Sequence, residues 1–187
     1  ALAALLEALL DYCENSSEIS KIRAQIAGEQ MSSVAVSAAV SACGIDSKPI
    51  WSEEFGIKIH KVKGESVIDI DSTIKSLNIP DVSVLVVTGW YGMLDEEPAL
   101  LARGGSDLTA TSLAAVLNAS EVTIWRDVSG VLALSPRWAI PSRNLPYLSY
   151  TEAQELALFS EPVLHPFAVE PLRKEGIPLR LRPLHNP

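Results

Sequence analysis

Apolar positions at the start of the chain recur at helical spacing. Leu2, Leu5, Leu6, Leu9, Leu10 and Cys13 fall at i, i+3, i+4 and i+7, which predicts an amphipathic helix over residues 1–14. Asn15-Ser16-Ser17 stops it. A second helix is predicted from Ser20 to Ala27, with Gly28 as a break. After Glu29, the stretch MSSVAVSAAVSACG is small and apolar nearly all round, the pattern of a buried helix, and Gly44 stands where a C′ glycine would end it. Residues 45–67 alternate short β-prone pieces, KPIWS and IKIHKV, with Gly56 and Gly64, and read as an excursion with hairpin character.

From Ile68 the pattern becomes rhythmic. A short helix is predicted over 72–77, a turn at Asn78-Ile79-Pro80, and a continuous apolar strand over 82–87 of the kind covered on both faces. A loop over 89–106 leads to a helix over 107–117, then a buried strand over 122–125 and a loop over 126–144 containing Pro136 and Pro141. Helices follow over 151–159 and 166–175, Gly176 ends the second, and a last strand covers 177–181. Strand, helix, strand, helix, strand is the rhythm of a layered α/β domain with a mainly parallel sheet. The whole chain, 1–187, reads as one such domain.

Composition narrows the classes. The 187 residues carry 15 Lys+Arg against 23 Asp+Glu, a formal charge of -8, which argues against a nucleic-acid footprint or an anionic membrane surface. With 48% hydrophobic residues and a mean hydropathy of +0.20, the chain is not a disordered one. No apolar run reaches the ~18 residues of a spanning helix. The opening ALAALLEALL lacks the basic flank and cleavage site of a signal peptide. Cys13 and Cys43 form no disulfide framework, so a reducing, cytoplasmic address is expected. The first methionine is Met31 and the chain opens inside a helical pattern, so it is expected to be the inner part of something longer.

Chemistry concentrates where VLVVTGWYG ends a strand and Arg103-Gly104-Gly105-Ser106-Asp107 enters a helix. Open parallel sheets bind ligands at the carboxyl ends of their strands. Paired glycines admit close backbone approach, first-turn amides attract an anion, and Arg103 offers a planar fork for carboxylate or phosphate. The plainer account is that Ser106 or Asp107 is an N-cap and Arg103 a solvated charge.

The run ARGGSDLTATSLAAVLNASEVTIWRDVSGVLALSPR resembles the aspartate kinase branch of the amino acid kinase family, whose pattern is G-R-G-G-S-D-x-T-A, then E-I-W-T-D-V-D-G-V, then D-P-R. LPYLSYTEAQELA and VLHP are similar to the family's I-P-x-L-S-Y-x-E-A-x-E-L-A and V-L-H-P stretches, and Gly28-Glu29 matches its G-E motif. The resemblance implies a three-layer αβα sandwich and ATP-dependent phosphorylation of the β-carboxylate of L-aspartate, the first step towards lysine, threonine and methionine, with Mg2+ accompanying ATP and a homo-oligomeric assembly. It places Arg103 on the substrate's α-carboxylate and Glu29 on its α-ammonium. Ser106, Gly104 and Gly105 would line the substrate or the transferring phosphoryl group, and Asp107 would orient the catalytic groups. Gly89, Asp127 and Arg137 would lie on the nucleotide side. Such a reaction is mostly positioning and charge neutralisation.

Departures weigh against a complete nucleotide site. The family's K-F-G-G-[ST] motif is not in this sequence, Arg126 replaces the Thr of T-D-V, Leu132 the aromatic of G-V-Y, and Ser135 the Asp of D-P-R. Glu161-Pro162 stands where a lysine commonly precedes V-L-H-P. The polypeptide as written is therefore expected to be weak or inactive alone. Two alternatives stay open: a non-catalytic kinase-like module that binds aspartate or serves as a scaffold, and a sister acyl-phosphate kinase acting on glutamate. His60 and His185 have no partners at metal-ligand spacing, so no metal site is expected, and His165 in V-L-H-P reads as structural. The tryptophans at 51, 90, 125 and 138 read as packing residues, with Trp90 a partial exception at the strand end.

Overall fold

The computed structural model describes residues 17–126, 145–159 and 166–184. The predicted helix over 1–14, most of the 126–144 loop and the VLHP stretch up to His165 lie outside them. The chain forms two compact units that divide after Ser106.

The first unit opens with helix α1, Glu18–Ala42, a single run of 25 residues and about 37 Å. Ser17 caps it, its hydroxyl accepting the Ser20 amide at 3.3 Å, and Gly44 at φ +80° turns the chain out just past the end. Gly28 does not break it. A mid-helix glycine costs only about 1 kcal/mol, which a long cooperative helix carries. Nor is the helix buried all round. Its inward stripe is Ile26, Ser33 and Ser37, while Met31, Val34 and Val36 are about half exposed. Serines on that stripe let the helix approach the strands closely, and the Ser37 hydroxyl meets that of Ser47 at 2.9 Å.

Strand β1, Ser47–Ile50, pairs in parallel with β4, Val84–Val87, in the register Ser47↔Val84 to Ile50↔Val87, and α1 packs on both. Residues 45–67 are thus only partly an excursion, because their first piece is a paired strand. The piece KPIWS reads as β-prone despite Pro49, but nothing in the pattern foresees its parallel partner β4. Helix α2, Ser52–Phe55, ends at Gly56 with φ +97°. The expected hairpin follows as β2, Ile59–Val62, and β3, Glu65–Ile68, turning at Lys63-Gly64 with both φ positive, the twist-matched two-residue turn. Asp69 caps α3, Ile70–Ser76, accepting the Ser72 amide at 2.9 Å.

The segment predicted as a loop over 89–106 holds a second antiparallel hairpin, β5 (Tyr91–Leu94) and β6 (Glu97–Leu100). Its turn, Asp95-Glu96, contains no glycine, and Pro98 stands opposite Met93, so both usual strand signals are missing. Ile50, Phe55, Ile57, Ile59, Ile68, Tyr91 and Leu101 form this unit's buried core.

Helix α4, Gly105–Val116, begins two residues earlier than predicted and carries the chain into the second unit. There β7, Val122–Arg126, pairs in parallel with β8, Leu179–Pro183. Helix α5, Tyr150–Phe159, and helix α6, Val169–Glu175, stand between them in sequence, α6 preceded by a 3-10 turn at Pro166–Ala168 and ended by Gly176 at φ +67°. Ala114, Val122, Ile124, Val169, Leu172 and Ile177 form the core here, and the Tyr150 hydroxyl donates to the Ile177 carbonyl at 2.6 Å.

Candidate functional site

In the first unit the site begins where β4 ends. Thr88 is buried, and its amide extends the β1–β4 ladder by donating to the Ile50 carbonyl at 3.1 Å. Its hydroxyl accepts the Ser52 amide at 2.8 Å, while the Ser52 hydroxyl donates to the Thr88 carbonyl at 2.9 Å. These reciprocal bonds fix the end of the strand. Gly89 follows, then Trp90 at φ +71°, a conformation costing a bulky residue about 1–3 kcal/mol.

The Arg103–Ser106 turn closes against that strand end. A Cβ on Gly89 would lie 3.4 Å from the Ser106 Cα, so the two backbones are in contact. Gly104 has φ +83°, which favours glycine. Gly105 is required for packing, since a Cβ there would sit 2.5 Å from the Leu101 Cβ and 2.9 Å from the Trp90 Cδ1. Its amide donates to the Ala102 carbonyl at 2.9 Å. Arg103 is exposed, and among the described residues no carboxylate pairs with it.

Glu29 lies on α1, partly buried, and burial pushes its carboxyl above the ordinary glutamate range. It has no cation or hydrogen-bond donor among the described residues. Beside it, the Gln30 amide donates to the Tyr91 hydroxyl at 3.5 Å. Tyr91 is fully buried and donates to Glu53 Oε2 at 2.5 Å, and its hydroxyl accepts from Thr88 Oγ1 at 3.3 Å. Burial first, and the Glu53 carboxylate second, push the phenol upward. Arg23, also on α1, approaches Glu53 at 3.6 Å. Sequence reasoning missed Gln30, Ser52, Glu53, Thr88 and Tyr91 as a group. Only Thr88, at a strand end, carried any signal.

Asp107 belongs to the second unit, in the first turn of α4. Its carboxylate pairs with Arg126 at the end of β7, both side chains about a quarter exposed or less. The Arg126 Nε is buried without a hydrogen-bond partner. Asp127 and Arg137 lie outside the described residues. No three His, Cys, Asp or Glu side chains converge as a metal-ligand set among the described residues. No helix there is long and apolar enough to cross a membrane.

The model of the Amino acid kinase family matches residues 5–183. The chain belongs to that family. As an amino acid kinase family member it is 36% identical over 157 residues to aspartokinase 2 of Bacillus subtilis (strain 168), covering 83% of this chain and 38% of the relative. It is 43% identical over 107 residues to the chloroplastic aspartokinase 2 of Arabidopsis thaliana, covering 56% of this chain and 20% of that one. The chain thus spans well under half the length of the curated relatives it matches. Its backbone superposes on E. coli aspartokinase III, solved in complex with aspartate and ADP in the R-state, with a TM-score of 0.86. That match has 24% identity and covers 98% of this chain and 42% of the other. The fold is therefore the α/β amino acid kinase fold.

Proposed function

We propose that the protein carrying this chain is an aspartate kinase, transferring the γ-phosphoryl of ATP to the β-carboxylate of L-aspartate to give 4-phospho-L-aspartate and ADP, the entry step towards lysine, threonine and methionine. The observation that carries the reading is a pair of unmatched charges in the first unit. Among the described arginines, Arg23, Arg126, Arg173 and Arg180 pair with carboxylates, and Arg182 lies 5.8 Å over the Trp125 ring. Arg103 alone of them has no partner. Glu29, partly buried, likewise has no cation. A guanidinium and a carboxylate held free suit the two charged groups of an α-amino acid. Arg103 takes the α-carboxylate and Glu29 the α-ammonium, leaving the side-chain carboxylate as phosphoryl acceptor. Ser106 and the Gly104 backbone line the acceptor side.

ATP enters as a substrate delivered with Mg2+. Gly89 lies at the strand end on the nucleotide side, and Asp107, held by Arg126, is positioned at the start of α4. The aspartokinase names of the sequence relatives support the choice of aspartate over other amino acids.

The test is hydroxylamine trapping of the acyl phosphate by the purified full-length protein with Mg-ATP and either aspartate or glutamate. The expected result is hydroxamate from aspartate and little from glutamate, with Glu29→Gln and Arg103→Ala each raising the aspartate KM at least tenfold. Aspartate binding without ADP release would point to a binding module, and a glutamate preference to a sister kinase.

A further inference from the structure

We propose that Tyr91 is a positioning residue for the amino end of the substrate, tying the turn of α1 that bears Glu29 to the strand-end loop that bears Gly89. The inference rests on the reading of Glu29 as the ammonium partner.

A phenol has one proton and two acceptor sites. Tyr91 uses all three, donating to Glu53 and accepting from Gln30 and Thr88. Gln30 is the neighbour of Glu29, and Thr88 the neighbour of Gly89. The hydroxyl is therefore one atom shared by the two backbone segments that the reaction must hold in register. Glu53 adds a second grip, because Arg23 reaches it from α1 two turns before Gln30. Residues seven apart lie on one face of a helix, so the two contacts fix both the axial position and the rotation of α1. Rotation matters here, since it sets where the Glu29 carboxylate points. A displacement of about 1 Å at a positioning group is enough to alter turnover or binding strongly.

Tyr91 is buried without exposure and Glu53 is only 21% exposed. Ser52 and the Ile50 carbonyl hold Thr88 independently, whereas the network sets the rotation of α1. Its effect should therefore fall mainly on the aspartate side, and a plain anchor of the fold would show no such asymmetry.

The experiment is steady-state kinetics of the full-length protein with Tyr91→Phe, which keeps the buried ring and removes the hydroxyl. The aspartate KM is expected to rise about three- to tenfold, as for loss of one hydrogen bond's worth of alignment, with the ATP KM and kcat within about twofold. Glu53→Ala should reproduce the shift, and Glu53→Gln, which keeps an acceptor for the phenol, should stay within about twofold of wild type. Thr73→Val is the stability control. It removes the buried acceptor of the Lys58 amide (3.0 Å) in the same unit and should lower the melting temperature with no change in aspartate KM. An unchanged aspartate KM in both Y91F and E53A, equal rises in both KM values, or a T73V shift as large as that of Y91F overturns the inference. If wild type makes no acyl phosphate from aspartate, the functional reading itself has failed and this one falls with it.

Discussion

Gly105→Ala separates two roles for the glycine pair. Sequence logic assigns both glycines to close ligand approach, yet Gly105 is already enclosed by protein. A methyl group there would lie 2.5 Å from the Leu101 Cβ, 2.9 Å from the Trp90 Cδ1 and 3.5 Å from the Leu101 Cδ1. The Leu101 Cβ is fixed to a buried backbone, and Leu101 is only 3% exposed, so the contact cannot be relieved by a rotamer change. Forcing a methyl into a packed site costs about 1–3 kcal/mol. Alanine gains up to about 1 kcal/mol over glycine within a helix, less in a first turn. The net expectation is a loss of about 1–2 kcal/mol. Gly104→Ala should lose a similar amount for a different reason, the left-handed backbone at φ +83°, which costs about 1–2 kcal/mol. Urea unfolding of the full-length variants reads both, with unchanged m-values marking a pure stability effect. A Gly105→Ala protein as stable as wild type, or more so, would refute the packing argument.

The remaining expectations concern charge and backbone. Burial raises the Glu29 carboxyl, so aspartate affinity should fall on acidification from a pH above the ordinary glutamate range, and Glu29→Gln should flatten that profile in calorimetric titrations. The linked stability has the opposite sense: a raised carboxyl holds its proton more tightly when folded, so stability falls as pH rises from the unfolded value through the folded one, and E29Q removes that slope from urea midpoints. Gly56→Ala combines φ +97° with a Cβ 2.1 Å from the Ser76 carbonyl oxygen and should lose at least about 2 kcal/mol in the same assay. Arg126→Ala leaves the Asp107 carboxylate without its partner and should cost about 1–2 kcal/mol, between the values for exposed and buried pairs, and a double-mutant cycle with Asp107→Ala should return most of it as coupling.

Elements with strong local signals were readable: α3, α4 and α5 within two residues, α6 within three, the hairpin character that β2 and β3 supply, and the helix stops at Gly44 and Gly176. Those that failed did so for identifiable reasons. Pro98 hid β6, because a strand signal assumes that every residue donates to a ladder, and a two-stranded ribbon tolerates one that does not. The β1 piece reads as β-prone, but nothing local marks β4 as its parallel partner. Gly28 suggested a break that helix cooperativity overrides, and the buried face of α1 is made by serines that hydropathy scores as outward. At the site, the R-G-G-S turn and Glu29 could be read from types and order. The Gln30–Tyr91–Glu53 connection could not, because it joins residues 38 and 61 positions apart through one hydroxyl.

The Asp107–Arg126 pair shows how a departure from a family pattern acquires a physical meaning. In sequence Arg126 is only a replacement for threonine, a cation beside Asp127, which the family pattern would put on the nucleotide side. In the fold it is committed to Asp107, with one N–H left buried and unsatisfied. An orphaned buried donor is costly, and it persists only where the rest of the group's contacts outweigh it. The carboxylate pairing supplies that weight, since breaking a partly buried pair leaves an uncompensated charge. Arg126 is therefore committed to Asp107 at the head of α4, whereas Arg103 has no carboxylate partner among the described residues. In a chain of net charge -8 this division matters more than the total. Under the proposed function, the substrate's α-carboxylate would meet a guanidinium that no described carboxylate has neutralised, presented by Arg103 at the turn closing on the end of β4.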